Sequence, residues 1–428
     1  MNKILNRFTS NKALKNFIIY GFGQAINLAS PLLITPYIIY ICGLEKLGII
    51  AIGQSLAYIL NVIIDYSSNI FGVKEISINR ENNTKLQFIF SSVYFSRLFL
   101  LAIVIAIVII MALAIPYFNR NALMIFFSIS IIIGQAINPT WFLQGVENFK
   151  WITIINILSK IIYIVAVFLF LKEESDYIYA NLWLGLGTIL ANALAFIMII
   201  KKCNFRFKID SIRAAKEILK RDFLFCVSQL FFAVRNYSSV LIVGFFAGDL
   251  VAGQFKVVEQ IINLFRTYVQ MFFKFSYSYI CFEIDRSISK GIALWKKYNS
   301  FNVLILITGL VSVYFFSSQV LAFFRVDEHL FDQLEKYLHI GLFIPLLICG
   351  TSSLEQLLFS LNKNYIYIRL TMASTIFNIL GLSFAMYFYG LEGVFYMLII
   401  TEISLVMIYY AILRKYFNGS KETLNRVE

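Results

Sequence analysis

KVVEQIINLFRTYVQMFFK, residues 256–274, is apolar and membrane-length, yet it carries a line of polar and charged groups. At about 100° per residue, Lys256, Glu259, Gln260, Asn263, Arg266, Thr267, Gln270 and Lys274 fall within an arc of roughly 120°. The other sides of the helix are Val, Ile, Leu, Phe, Tyr and Met. Against lipid each charge at this depth would cost roughly 2.5–3.5 kcal/mol. The stripe must therefore face protein or water. Three cations beside one acid imply a cationic, water-accessible cavity inside a membrane protein, and hence a bound or transported anion.

The rest of the chain fits such a setting. Of its 428 residues 60% are hydrophobic and 14% charged, more apolar surface than a soluble domain of this size can hide. Nearly uncharged windows long enough to span a bilayer recur throughout. Spanning helices are predicted near 16–41, 47–72, 87–115, 122–144, 150–171, 177–200, 222–247, 251–281, 297–317, 336–361, 364–388 and 391–413. This is an all-α polytopic membrane protein of about twelve helices. The longest polar connection divides it into an N-terminal six-helix lobe (1–200), a basic cytoplasmic linker (201–222), a C-terminal six-helix lobe (223–413) and a cytoplasmic tail (414–428).

The net charge of +13 reads as a topology signal rather than a nucleic-acid surface. With the N-terminus cytoplasmic, the inner segments hold 25 Lys and Arg and the outer loops hold 4. Lys and Arg concentrate on the cytoplasmic side of membrane proteins, so both termini are expected inside. The first apolar run reaches Ile41, too long for a cleaved signal. Gly43 and Gly48 flank the first outer turn, and Gly248 and Gly253 flank the turn after the seventh helix. The shared spacing suggests two related halves of like orientation.

Other in-span groups extend the candidate site. Arg235 lies near the middle of the seventh helix, antiparallel to the stripe helix. Gln24 and Asn27 lie on the first helix, where Pro31 and Pro36 remove backbone donors and predict a bend or a broken turn. The substrate-binding candidates are thus Arg235, Lys256, Arg266, Lys274, Gln24, Asn27, Asn263 and Gln270. Four acids within spans, Glu259, Asp65, Glu355 and Glu402, are candidates for a coupling ion, H+ or Na+. The alternative for each acid is an ion pair, with Arg97, Lys160 and Arg369 as available cations. The five scattered cysteines and two distant histidines offer no metal cluster. The Gly21-Phe22-Gly23 and Gly185-Leu186-Gly187 pairs lack the strand-turn-helix context of a nucleotide site. No P-loop and no nucleophile-base set is visible, so neither an enzyme nor a cofactor is expected.

Two stretches then resemble a known family. One is Pro36-Tyr37, Gly43-Leu44-Glu45-Lys46-Leu47-Gly48, Asp65-Tyr66 and Gly72-Val73-Lys74-Glu75. The other is Asn138-Pro139-Thr140-Trp141-Phe142-Leu143-Gln144-Gly145-Val146-Glu147-Asn148. Both resemble the bacterial polysaccharide transporters, the Wzx-type flippases of O-antigen and capsule repeat units. The resemblance implies two six-helix lobes around a central cavity, alternating access, and the inner membrane. It also implies the cargo, an undecaprenyl-diphosphate-linked oligosaccharide moved from the inner to the outer leaflet, and partners in the polymerase and chain-length regulator of the same pathway.

Three other readings compete. A drug or cation antiporter of the same superfamily would want an acidic or apolar site, and the stripe is net basic. A lipid II flippase usually has more than twelve helices. A membrane-embedded glycosyltransferase or polymerase would need a large outer loop or a placed acid pair, and the outer loops are short.

Overall fold

The computed structural model describes residues 11–207, 210–361 and 363–424, and among them all regular structure is helical. In chain order the spans are α1 (11–42), α2 (44–65), α3 (Asn83–Ala114), α4 (Ala122–Ile137, continued by Thr140–Gly145), α5 (Phe149–Phe170) and α6 (Ala180–Cys203). They continue as α7 (Phe223–Ala247), α8 (Asp249–Arg286), α9 (Ile288–Phe315), α10 (Phe343–Ser360, preceded by Phe331–Gly341), α11 (364–389) and α12 (391–424). Nine helical stretches among the described residues are long and apolar enough to cross a membrane. Two of these contain a pair of spans each, divided at Gly43 and Gly390, and α8 joins them as the charged twelfth. The protein is a multi-pass helical membrane protein.

The structure departs from the sequence expectation in three places. First, Pro31 and Pro36 sit inside α1 without breaking it, and the non-helical residue between Asn11 and Asp65 is Gly43. Second, the helix expected to run to residue 72 stops at Asp65. Tyr66 takes a left-handed φ of 50°, and the chain continues as the short helices Ser68–Gly72 and Val73–Ile78. Third, the linker contains a helix, Asp210–Arg221, laid along α3. Its Ser211 and Ala215 are buried, and Ser96 on α3 donates to the Ala215 carbonyl at 3.2 Å.

Two compact units result, one up to Tyr237 and one from Ser238. The division falls within α7, because the linker helix and the start of α7 pack with the first six spans. In the first unit, α4 and α6 approach through small residues. A Cβ on Gly185 would stand 1.8 Å from the Ser130 hydroxyl, and one on Gly134 would stand 2.2 Å from that of Thr188. Gly185 is therefore a packing residue, in the manner of small-residue helix contacts in membranes. In the second unit, α8 packs against α9 and α10, and α10 against the α11–α12 segment. Ile280, Leu358, Leu405 and Tyr409 form its inner core.

The glycine repeat has a structural counterpart. Gly43, between α1 and α2, has φ 81° and ψ 169°, and Gly248, between α7 and α8, has φ 86° and ψ 177°. This region is open only to glycine without strain. No atom lies within 4 Å of a Cβ placed on either, so conformation alone requires the residue. The two turns start corresponding helices of the two halves. Gly248→Ala and Gly43→Ala are each expected to cost about 1–3 kcal/mol. Gly350→Ala, whose Cβ would meet only Val406 at 3.4 Å in the middle of α10, should be neutral or better. Thermal unfolding of the purified variants in detergent checks both, and equal shifts for all three would contradict the turn argument.

Candidate functional site

Two polar constellations stand out, one in each unit. The first centres on Arg97, on α3, of which 2% is exposed. One arm of its guanidinium donates to the Asn138 carbonyl at 2.6 Å and the Gln135 carbonyl at 3.3 Å. The other donates to Asp65 at 2.9 Å and to the Ser68 hydroxyl at 2.7 Å. Gln135 also donates to Asp65 at 2.7 Å, and Asn69 does so at 3.0 Å. Tyr94 and Trp141 place ring faces within 6.0 Å of the cation. Arg97 thus ties the end of α2 to α3 and to the broken α4. The ion pair with Arg97 is where the structure places the coupling candidate Asp65.

This node is also where the two family-like stretches meet. Trp141 lies so close to Gly72 that a Cβ there would stand 3.0 Å from its ring. Gly145 faces Ile76 with only 2.5 Å for a Cβ. Tyr66 and Glu147 both adopt left-handed φ, 50° and 58°. A non-glycine residue there costs of order 1–3 kcal/mol unless its surroundings hold it. The surroundings are specific. Tyr66 donates to the Leu219 carbonyl and Ser67 to Asp222, both at the end of the linker helix, and Arg80 pairs with Glu147 at 3.0 Å. Arg221 bridges Asp222 at 2.7 Å and Glu75 at 2.9 Å, and these carboxylates, Asp222 foremost, raise its pKa further. A cavity of about 20 Å³ beside Asp65, Ser68 and Arg97 is large enough for one water.

The second constellation is the stripe on α8. At 38 residues this helix is about 57 Å long, well beyond the roughly 30 Å of hydrocarbon. Its polar line is graded. Towards its start Glu259 and Gln260 are buried, and Lys256 pairs with Glu259 at 2.8 Å. In the middle Asn263, Arg266 and Thr267 are half-buried, with Thr267 donating to the Asn263 carbonyl at 2.8 Å. Gln270 and Lys274 are exposed. The apolar sides, Val257, Val258, Ile261, Ile262 and Val269, are buried in the unit.

The other candidates are dispersed. Glu402, on α12, is buried and accepts from Thr351 of α10 at 2.8 Å. Glu355 accepts from Tyr409 at 3.3 Å. Asn27 on α1 and Arg235 on α7 are half-buried in the first unit. The side chain of Gln24 lies outside the described residues.

One set was missed from sequence. Gln356 of α10 donates to Ser276 of α8 at 2.8 Å, Asn299 of α9 donates to Gln356 at 3.3 Å, and Ser353 donates to Asn299 at 2.7 Å. It fixes the lower half of α8 without a formal charge. The available signal was the i, i+3 pair Ser353 and Gln356 opposite Asn299 in otherwise apolar spans.

A family of polysaccharide biosynthesis proteins matches residues 13–278. The chain belongs to that family. The match covers both stretches that build the Arg97 node and the α8 stripe, and the chain is a membrane transporter rather than an enzyme. A relative in Escherichia coli strain K12, named "Putative O-antigen transporter", is 26% identical over 306 residues, 71% of this chain and 73% of that protein. Two solved structures share the fold at 16% identity. One is an inward-facing multidrug-resistance MATE-family transporter of the MOP superfamily, with a TM-score of 0.72 over 92% of this chain and 96% of its own. The other is a lipid II flippase in an inward closed conformation, with a TM-score of 0.71 over 94% and 87%.

The node yields a prediction. Lysine cannot reproduce the fork that reaches Asp65, Ser68 and two carbonyls at once. Arg97→Lys should therefore cost about 1–3 kcal/mol through lost hydrogen bonds. Arg97→Met, which strands Asp65, should cost about 3–5 kcal/mol. Unfolding temperatures of the purified variants read this out, and a wild-type value for Arg97→Lys would show the fork to be dispensable.

Proposed function

We propose that this transporter is a flippase that carries undecaprenyl-diphosphate-linked oligosaccharide repeat units from the cytoplasmic to the outer leaflet, for O-antigen or capsule synthesis, by alternating access. The observation that carries the reading is the α8 stripe, a membrane-length helix whose polar line opens from a half-buried Lys256 paired with the buried Glu259 to the half-buried Arg266 and exposed Lys274. A lipid-linked diphosphate is an anion that needs such partners, and its sugars need amides such as Asn263 and Gln270. Membership of the polysaccharide biosynthesis family and the relative named for O-antigen transport support the glycan cargo. A cation-drug antiporter would need the opposite charge on this helix.

In this reading the substrate contacts are Arg235, Arg266, Lys274, Asn263, Gln270, Gln24 and Asn27, with Lys256 acting through its pair with Glu259. The protein works in the bacterial inner membrane with both termini cytoplasmic. Moving about two negative charges outward gains roughly 2.3 kcal/mol per charge per 100 mV of inside-negative potential. Counter-transport of H+ or Na+ on Glu402, Glu355, Glu259 or Asp65 would add to this drive. Polymerase and chain-length regulator receive the product in the outer leaflet.

A strain lacking the protein should lose surface polysaccharide and accumulate lipid-linked repeat units in the inner leaflet. Normal polysaccharide in that strain would overturn the reading. Arg266→Ala and Arg235→Ala should fail to restore polysaccharide while protein levels hold, and full restoration by both would reduce them to structural charges.

A further inference from the structure

Lys160 lies halfway along α5, eleven residues from Phe149 and ten from Phe170. At 1.5 Å per residue it is about 15 Å from either end of the helix, too far for a lysine to reach the bilayer surface. Among the described residues none hydrogen-bonds to its ammonium or pairs with it. Three acids of the first unit are committed elsewhere. Asp65 is held by Arg97, and Glu45 and Glu174 lie with Lys46 at the outer turn. The side chain is nevertheless only half-buried, so something can reach it.

Its surroundings are polar at the same depth. α1 and α5 run side by side in the same direction, since Gly23 faces Thr153 and the Tyr37 ring meets that of Phe168 at 4.4 Å between centroids. The level of Lys160 therefore corresponds to Ala29 and Ser30 of α1, next to Pro31. Pro31 has no N–H to offer the carbonyl of Asn27, and the buried Ser30 hydroxyl has no hydrogen-bond partner. Tyr163, one turn further along α5, meets Gln54 of α2. A cation without a partner among the described residues and unmet polar groups share one level of the membrane. That arrangement is unfavourable in the empty protein and becomes favourable when an anion with several acceptors arrives.

We infer that Lys160 is a substrate-binding residue of the first unit, whose ammonium contacts the diphosphate of the transported lipid. The inference rests on the flippase reading above and adds to it a contact on α5. The contact is one the stripe cannot supply, since the stripe belongs to α8.

The test uses the purified full-length protein and farnesyl diphosphate, a water-soluble isoprenyl diphosphate, with farnesol as the neutral control, followed by titration calorimetry. Lys160→Met should weaken the diphosphate at least about tenfold while leaving farnesol unchanged. Lys160→Arg should stay near wild type. The unfolding temperature of Lys160→Met should hold or rise, because removing an unpaired charge from the membrane relieves a cost. Diphosphate binding by Lys160→Met equal to wild type overturns the role of Lys160 and leaves the flippase reading standing. A fall in its unfolding temperature with no rescue of binding by Lys160→Arg also overturns it, as the mark of a structural charge. Wild-type protein that ignores the diphosphate overturns both.

Discussion

Hydrocarbon offers no partner to a charged side chain, and the ionisable residues within the spans are placed by that constraint. Arg97 answers it with four hydrogen bonds, one of them to the Asn138 carbonyl at the break in α4. The break at Asn138-Pro139 and the turn at Tyr66 are then parts of one arrangement. Without the arginine, the Asp65 carboxylate would lose its cation and the Asn138 carbonyl its donor. With it, three spans and the linker helix are fixed at one end of the first unit. Lys256 answers the same constraint with Glu259 three residues on.

In the proposed flippase, the cations further along α8 serve the cargo. A transporter that closed every charge on itself would have nothing to hold an anion with. In that reading the gradation along α8, from the Lys256–Glu259 pair to exposed Gln270 and Lys274, gives a transported anion polar groups and a cation to meet at one end of the helix while the other end is anchored. The neutral network of Gln356, Asn299 and Ser276 holds that half of the helix without competing for the anion.

Much of this was legible in the sequence, for physical reasons. Spans are read from apolar length, and the positions of α3 and α5 follow directly from it. The Gly43 and Gly248 turns were visible as a spacing, because only glycine tolerates their conformation. The stripe was visible because eight positions on one helix repeat at its own period. What escaped were contacts between residues far apart in the chain. Asn138 to Gly145 could be recognised as a family mark but not as the seat of Arg97, 41 residues earlier. The linker helix escaped because its buried face is short, made of Ser211, Ala215, Ile218 and Asp222, and sits in a basic, polar segment. The end of α2 was misplaced because residues 66–72 carry no charge to mark a boundary, and only tertiary contacts turn them aside.

The central claim is that a negative headgroup is what the protein moves. The most direct measurement reconstitutes the purified protein in sealed vesicles and follows the translocation of a diphosphate-linked oligosaccharide lipid beside its uncharged counterpart, with and without an imposed membrane potential. The account predicts movement of the diphosphate lipid, accelerated by a potential negative on the side of departure, and little movement of the uncharged lipid. Equal translocation of the two, indifferent to the potential, would contradict it.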